Sequence, residues 1–366
     1  MPEPHRIANI GAEAGAAPDV PAVRSVATLW RSLFDTPPAF AWLPDADGAA
    51  VAWLNTPEAA AQATAAGHQL AGAHPEVVAR VHDKAFAHEV AQREGLLPAC
   101  LDGVMTPISP TELRAADAIA ALTRRLEAWP EWARARFTLK PRWGSSGRGR
   151  VAGSDARADT PEIRGALDRL ARSGGAMLEP WLSRRGDLSV TFWIEPGAAL
   201  RLVGSTDQLT DASGLYRGAR GSVDSRGRVA ANSRWDESAR ELAVPLANAA
   251  AAEDYAGPLG VDLIAFRTPE GETALHPVEL NARYTVGCIA VGLVRRQLGR
   301  LRGELGLAPG TLVHFALLVT GPALDAPGLL QIPIAPELGT QAPALYFAAT
   351  PEPLDVLLTE CAAPKA

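Results

Sequence analysis

Lysine is almost missing from this chain of 366 residues: Lys84, Lys140 and Lys365 stand against 32 arginines. Cysteine is as scarce. Cys100, Cys288 and Cys361 lie far apart with no CxxC pair, which argues against a disulfide framework and a zinc ribbon and suits a reducing cytoplasm. No run of about 18 uninterrupted apolar residues occurs. The amino terminus, MPEPHRIANIGAEAG, has no basic region followed by an apolar stretch, so neither a membrane span nor an export signal is expected. Positive charge is also in deficit, with 35 basic against 41 acidic residues and a net charge of -6. That balance disfavours a partner held by neutralising a phosphate backbone, so nucleic acid is not expected. There is no GxSxG elbow and no cysteine with a histidine nearby, which leaves a covalent protein nucleophile unsupported. What remains is an ordinary globular composition, 47% hydrophobic and 21% charged, over a length suited to two or three units of about 150 residues.

The lysine shortage is informative in itself. Where most surface cations are arginine, a retained lysine marks a place where a compact ammonium and a planar guanidinium are not interchangeable, as at a single phosphate oxygen. Lys365 lies in the terminal CAAPKA and is set aside.

Apolar spacing predicts a helix over Val20 to Phe34, short strands at Phe40 to Leu43 and Val51 to Leu54, and a helix from Pro75 to Glu94 closed by Gly95. Prolines 98, 107 and 110 mark a boundary near residue 105. A helix over Thr111 to Ala128, a strand at Phe137 to Lys140, a helix at Pro161 to Arg172 and a strand at Ala176 to Trp181 follow. Strands are then expected at Leu188 to Ile194, Leu200 to Gly204, Gly260 to Phe266 and Thr273 to Asn281, with helices near Glu237 to Glu253 and Cys288 to Leu305. The fold class is α+β, in three regions: 1–105, 106–182 and 183–366. The Pro-rich last 60 residues are left without assignment.

Two segments carry the chemistry. Gly144-Ser145-Ser146-Gly147-Arg148-Gly149 follows a strand and Lys140, as a loop covering phosphates would, although a plain hairpin turn has the same composition. Its lysine precedes the glycines, which excludes a Walker A loop, and the glycine spacing does not fit a dinucleotide fingerprint. The second is GVDLIAFRTPEGETALHPVELNARYTVG, Gly260 to Gly287, which reads as two strands joined at Pro269 to Glu272. A turn centred between Glu270 and Gly271 sets Asp262 opposite Glu279. Asn281, two residues beyond Glu279, shares its face. Opposed carboxylates repel unless a cation lies between them, and a hard cation with oxygen ligands suits the trio; magnesium is the expectation, solvated acids on an edge hairpin the alternative. Histidines 68, 74, 82 and 88 lack the spacing of a zinc helix. The arginines of GLYRGARG (Arg217, Arg220) and Arg295, Arg296, Arg300 and Arg302 are expected on solvated surfaces.

Lys84 in VHDKAFAHEV, Lys140 before GSSGRG, Glu179 in MLEPWL, and Asp262 followed by VELNAR together resemble the ATP-grasp superfamily over about residues 80 to 290. The resemblance implies an N-terminal αβ domain, a small lid domain and a larger C-terminal mixed-sheet domain, with ATP between the last two. Lys84 and Lys140 would then contact the phosphates, and Ser145, Ser146 and Gly147 would cover them. Glu179, Trp181 and Leu182 would line the adenine pocket and Asp187 would meet the ribose. Asp262, Glu279 and Asn281 would hold Mg2+, with Arg283 directed at the transferred phosphate or acyl phosphate. Gly260 departs from the arginine that several family members carry two residues before the first metal acid; Arg217 or Arg220 is the suggested substitute. The activity so implied is ligation of a carboxylate to an amine. A small-molecule kinase and a catalytically silent nucleotide-binding module stay open as alternatives.

Overall fold

Among the described residues five α-helices begin on a proline in their first turn (Pro21, Pro57, Pro75, Pro110 and Pro161), where the missing N–H has no intrahelical acceptor and the fixed φ favours entry. The computed structural model describes residues 5–12, 20–35, 49–144, 148–197, 199–211, 215–308, 310–321 and 327–362. The strand expected at Phe40 to Leu43 falls outside them. So does the centre of the glycine loop, Ser145, Ser146 and Gly147.

A three-stranded parallel sheet opens the chain: β1 (His5–Ile7), β2 (Ala49–Ala52) and β3 (Gln69–Leu70), with helices α1 (Pro21–Ser32) and α2 (Pro57–Ala65) between them. The helix expected from Pro75 to Glu94 is two helices, α3 (Pro75–Val81) and α4 (Lys84–Arg93). Apolar periodicity runs through the break, which is why the sequence hides it. The break is made by Asp83, which leaves helical geometry and accepts a hydrogen bond from Ala85 N at 2.8 Å as the cap of α4. Gly95, at φ +66, does close α4, with Leu96 N donating back to Ala91 O at 2.8 Å.

A second, four-stranded sheet has the order β4 (Thr106–Ile108), β7 (Ala176–Pro180), β5 (Arg136–Pro141), β6 (Val151–Ser154). The helix expected over Thr111 to Ala128 is likewise divided, into α5 (Pro110–Arg114) and α6 (Ala118–Glu127), before the short α7 (Glu131–Arg134); α8 (Pro161–Arg172) keeps its expected bounds. Gly153 in β6 is where the Phe137 ring lies against the backbone: a Cβ there would meet the ring at 2.2 Å.

The third sheet has nine strands, in the order β13 (Thr273–Asn281), β12 (Gly257–Arg267), β8 (Ser183–Ile194), β9 (Leu200–Thr210), β10 (Tyr216–Val223), β14 (Val313–Leu318), β16 (Ala344–Ala348), β15 (Leu330–Pro333), with β11 (Val229–Ala230) beside β10. Helices α9 (Asp236–Ala252) and α10 (Val286–Glu304) pack on it, and α11 (Glu352–Ala362) follows β16. The Pro-rich end thus supplies three strands of the large sheet. Tyr216 to Gly221 of GLYRGARG, expected as a solvated loop, belong to strand β10. Its Gly218 is required by close strand approach, since a Cβ would sit 2.1 Å from Leu317 O.

One apolar core joins α1, β2 and α3 to the large sheet, and a second fills the four-stranded unit and takes in Ile264 and Phe266 of β12. Across this junction Asp83 binds Arg142 of the lid, whose Nε lies 2.8 and 3.1 Å from the two carboxylate oxygens. Asp83 therefore serves two ends at once. Asp83→Ala should lower stability by about 2 kcal/mol in chemical denaturation, because it removes a cap and strands a half-buried guanidinium; Asp83→Asn, which keeps the cap, should lose less. A loss below about 0.5 kcal/mol for the alanine variant would contradict this role.

Candidate functional site

Lys84 begins α4, directly after the cap Asp83. Its side chain runs inward, leaving the residue 7% exposed. Its Nζ donates to Gly144 O at 2.8 Å and lies 3.0 Å from Glu279 Oε2. One ammonium thus ties together the N-terminal unit, the start of the lid loop and the large sheet. Next to it His82 is buried and accepts a hydrogen bond from Ala282 N at Nδ1, 3.2 Å away. Burial, with Arg283 and Lys84 adding to it, holds His82 well below its ordinary range, so it is a neutral imidazole.

The hairpin of β12 and β13 pairs Asp262 with Glu279, and Gly260 with Asn281, as the turn placement predicts. It does so by a route the sequence does not display. Near the turn the strands are one residue out of that register, Leu263 facing Pro277 and Arg267 facing Thr273. A β-bulge between Asp262 and Leu263 on one side, taking up Val278 on the other, restores it. Because of the bulge, the consecutive residues Val278 and Glu279 both line the cleft, together with Asn281; a plain pleat would send one of the first two to the opposite face.

Asp262 accepts from Asn281 Nδ2 at 2.8 Å and from Gln208 Nε2 at 2.7 Å. Burial, followed by the facing Glu279, pushes the Asp262 carboxyl up, against the opposing effects of Gln208 and Arg283. Burial also pushes Glu279 up, but Lys84 and Lys140 outweigh it and hold that carboxyl below its ordinary value. The two acids are driven apart because the cationic side chains serve Glu279 and leave Asp262 short of positive charge. Gly260 explains the absent arginine: a Cβ there would lie 2.8 Å from Thr285 Cγ2, so no larger side chain fits.

Lys140 on β5 forms an ion pair with Glu179 on β7, the two being diagonal neighbours across paired strands. Glu179, Trp181 and Leu182 line a small hollow with Met105, Ile264, His276 and Val278, and Lys140 lines both this hollow and the main cleft. The Trp181 ring does not stand open, since the guanidinium groups of Arg136, Arg150 and Arg184 lie 5.0, 4.8 and 5.8 Å from its centre. Asp187 on β8 accepts from Thr210 Oγ1 at 3.0 Å and pairs with Arg184 at 3.2 Å, on the wall of the main cleft. Arg283 donates to Tyr284 O at 2.9 Å and stacks 5.2 Å above Trp53.

Lys84, Lys140, Asp187, Asp262, Glu279, Asn281 and Arg283 therefore line a single cleft. Arg217 reaches it too, paired with Asp211 at 2.7 Å, whereas Arg220 turns to Asp355 at 2.9 Å and is absent from the cleft wall. Arg295 and Arg296 are not on a solvated face: they donate to Gly227 O, Val203 O, Ser32 O and Leu33 O at 2.6 to 3.0 Å. Sequence reasoning missed Arg148 and Arg150 from the lid and Thr206, Gln208 and Thr210 from β9, all on the cleft wall. The alternating polar residues of STDQLT, inside what proves to be a strand, were the available signal.

The Lys84–Glu279 pair, with side chains 8% and 18% exposed, predicts strong energetic coupling. Either single change, Lys84→Met or Glu279→Gln, should cost about 3 kcal/mol. The double variant should recover at least about 1 kcal/mol of the summed loss, read from a denaturation double-mutant cycle. Additive losses would show that the two groups do not interact.

No family model matches this sequence, and no curated protein matches it. Solved structures do. The biotin carboxylase domain of 2-oxoglutarate carboxylase from Hydrogenobacter thermophilus, solved as a dimer with MgADP, ADP and bicarbonate, superimposes over 92% of this chain and 77% of its own at 13% identity and a TM-score of 0.53. Carboxyaminoimidazole ribonucleotide synthase from Aspergillus clavatus, solved with ATP, matches 86% of this chain and 82% of its own at 14% identity and 0.52. Biotin carboxylase from Campylobacter jejuni, solved as a beta-gamma-ATP complex, matches 98% and 91% at 14% and 0.52. These proteins are ATP-grasp carboxylate-amine ligases. Superimposing on them over most of its length, this chain has the ATP-grasp fold.

Proposed function

We propose that this chain is an ATP- and magnesium-dependent ligase that joins a carboxylate, by way of an acyl phosphate, to an amine or a similar nucleophile. The supporting observation is the meeting of Lys84 with Glu279 and Gly144 in the cleft that Lys140, Asp262 and Asn281 also line. Among the described residues no three of His, Cys, Asp and Glu form a metal cluster. Two carboxylates and an amide suit a cation that takes the rest of its shell from phosphates and water, which is the habit of Mg2+. Asp262, short of positive charge, and Glu279 would hold it, with Asn281 as third oxygen donor; when bound it supplies neutralisation of phosphate charge.

In this reading Lys84 and Lys140 bind phosphate oxygens, and Lys140 exchanges Glu179 for the nucleotide. Ser145, Ser146 and Gly147 cover the phosphates with Arg148 and Arg150. Glu179, Trp181 and Leu182 bound the adenine and Asp187 accepts from the ribose hydroxyls. Arg283 faces the acid being activated. Phosphoryl transfer asks for alignment and charge neutralisation and for no protein nucleophile, which fits a site without one.

With its acid and amine present, the enzyme should release ADP and inorganic phosphate and form an amide-type bond. A stable phosphorylated acceptor would favour a kinase, and failure to bind ATP in the presence of Mg2+ would remove every version of the proposal. Lys140→Ala and Glu279→Ala should each lower turnover at least about 100-fold, while circular dichroism stays unchanged. Near-normal rates in both would remove the assignment of this site.

A further inference from the structure

The cleft has a side that neither nucleotide nor cation needs. Beyond Arg283 it is walled by Ile10, Val23, Val26, Trp53 and Val286. Val23 and Val26, three residues apart, share a face of α1. Arg296, ten residues into α10, donates to Ser32 O and Leu33 O at the far end of α1, while Val23 and Val286, near the starts of the two helices, both line the cleft. The helices therefore run side by side in one direction, and both N-terminal ends open on the same apolar hollow.

Anion recognition borders that hollow. The amides of Val286 and Gly287 belong to the first turn of α10, which an α-helix leaves without internal acceptors. Thr206 is 1% exposed and lines the cleft, and a Cβ on Gly287 would lie 3.3 Å from its hydroxyl. Arg283 stands at the same corner, stacked on Trp53. Among the described residues the cleft is lined by seven lysine and arginine side chains against the three carboxylates of Asp187, Asp262 and Glu279, so an ammonium group on the acid would add to a positive excess.

We propose that this wall receives the hydrocarbon part of the acid substrate: a monocarboxylic acid with a compact branched or aromatic chain and no ammonium group. Its carboxylate is held by Arg283, the Thr206 hydroxyl and the first amides of α10. The inference rests on the ligase reading and names the class of acid. One carboxylate oxygen bonds to the γ-phosphorus as the bond from that phosphorus to the β,γ-bridging oxygen breaks, and ADP leaves with the electron pair. A nucleophilic nitrogen then bonds to the acyl carbon, the carbon–oxygen bond to phosphate breaks, inorganic phosphate departs, and the nitrogen releases its proton to water.

Hydroxylamine can stand in for the unidentified amine, so the full-length protein is assayed with MgATP, hydroxylamine and one acid at a time, with hydroxamate and ADP measured together. MgATP binding is followed separately by tryptophan fluorescence. Isovalerate and phenylacetate should exceed acetate, succinate and leucine in kcat/KM at least about tenfold. Val26→Asp should reduce kcat/KM for isovalerate about tenfold while MgATP affinity stays within about twofold; should that variant not fold, Val26→Ala should raise the KM for isovalerate about threefold with little change in kcat. If MgATP binds but acetate, succinate or leucine is used as well as the apolar acids, or no apolar acid yields hydroxamate, this inference is overturned and the nucleotide site stands. If MgATP does not bind, the ligase reading and this inference fall together.

Discussion

The contact on which the site depends is the buried pair between Lys84 and Glu279. Sequence separation makes it expensive to assemble: Lys84 comes from the end of the N-terminal unit, Glu279 from the edge hairpin of the large sheet, and Gly144, which shares the ammonium, from the lid. A buried pair of this kind is weak evidence for stability, because desolvation offsets much of the attraction, but it punishes any arrangement that leaves one member alone. It therefore specifies how the three units must sit. Asp83 reinforces the same junction by capping α4 and holding Arg142.

The pair also organises the electrostatics around it. With Lys84 committed to Glu279 and Lys140 to Glu179, no lysine pairs with Asp262, which relies on the Asn281 and Gln208 amides and the more distant Arg283. Opposed carboxylates with unequal compensation make a place that further positive charge relieves, next to two lysines that favour added negative charge. A metal–polyphosphate complex brings both. The chemistry proposed here follows from that complementarity.

The hairpin and its facing carboxylates were legible because strand periodicity and an obvious turn fix cross-strand partners. Agreement at Asp262 depends on the bulge at Val278, which no spacing rule would have located. The lysines were legible for a chemical reason, since a chain so biased toward arginine retains lysine where a point charge is needed. Helix breaks at Asp83 and between α5 and α6 were hidden because apolar spacing continued across them. Strand β10 was hidden because its glycines read as turn residues, whereas Gly218 and Gly221 are there to admit neighbouring backbone, with Cβ positions 2.1 and 2.5 Å from carbonyl oxygens. The polar floor of β9 and the apolar wall of α1 became visible only when tertiary packing placed them on one cleft.

With three lysines in the chain, the central claim can be tested by asking which of them a nucleotide touches. An acyl-phosphate derivative of ATP, which transfers its acyl group to an amine beside the terminal phosphate, should label Lys84 or Lys140 in peptide mapping, and excess MgATP should abolish the label. Modification of Lys365 alone, or labelling that MgATP does not protect, would contradict the account.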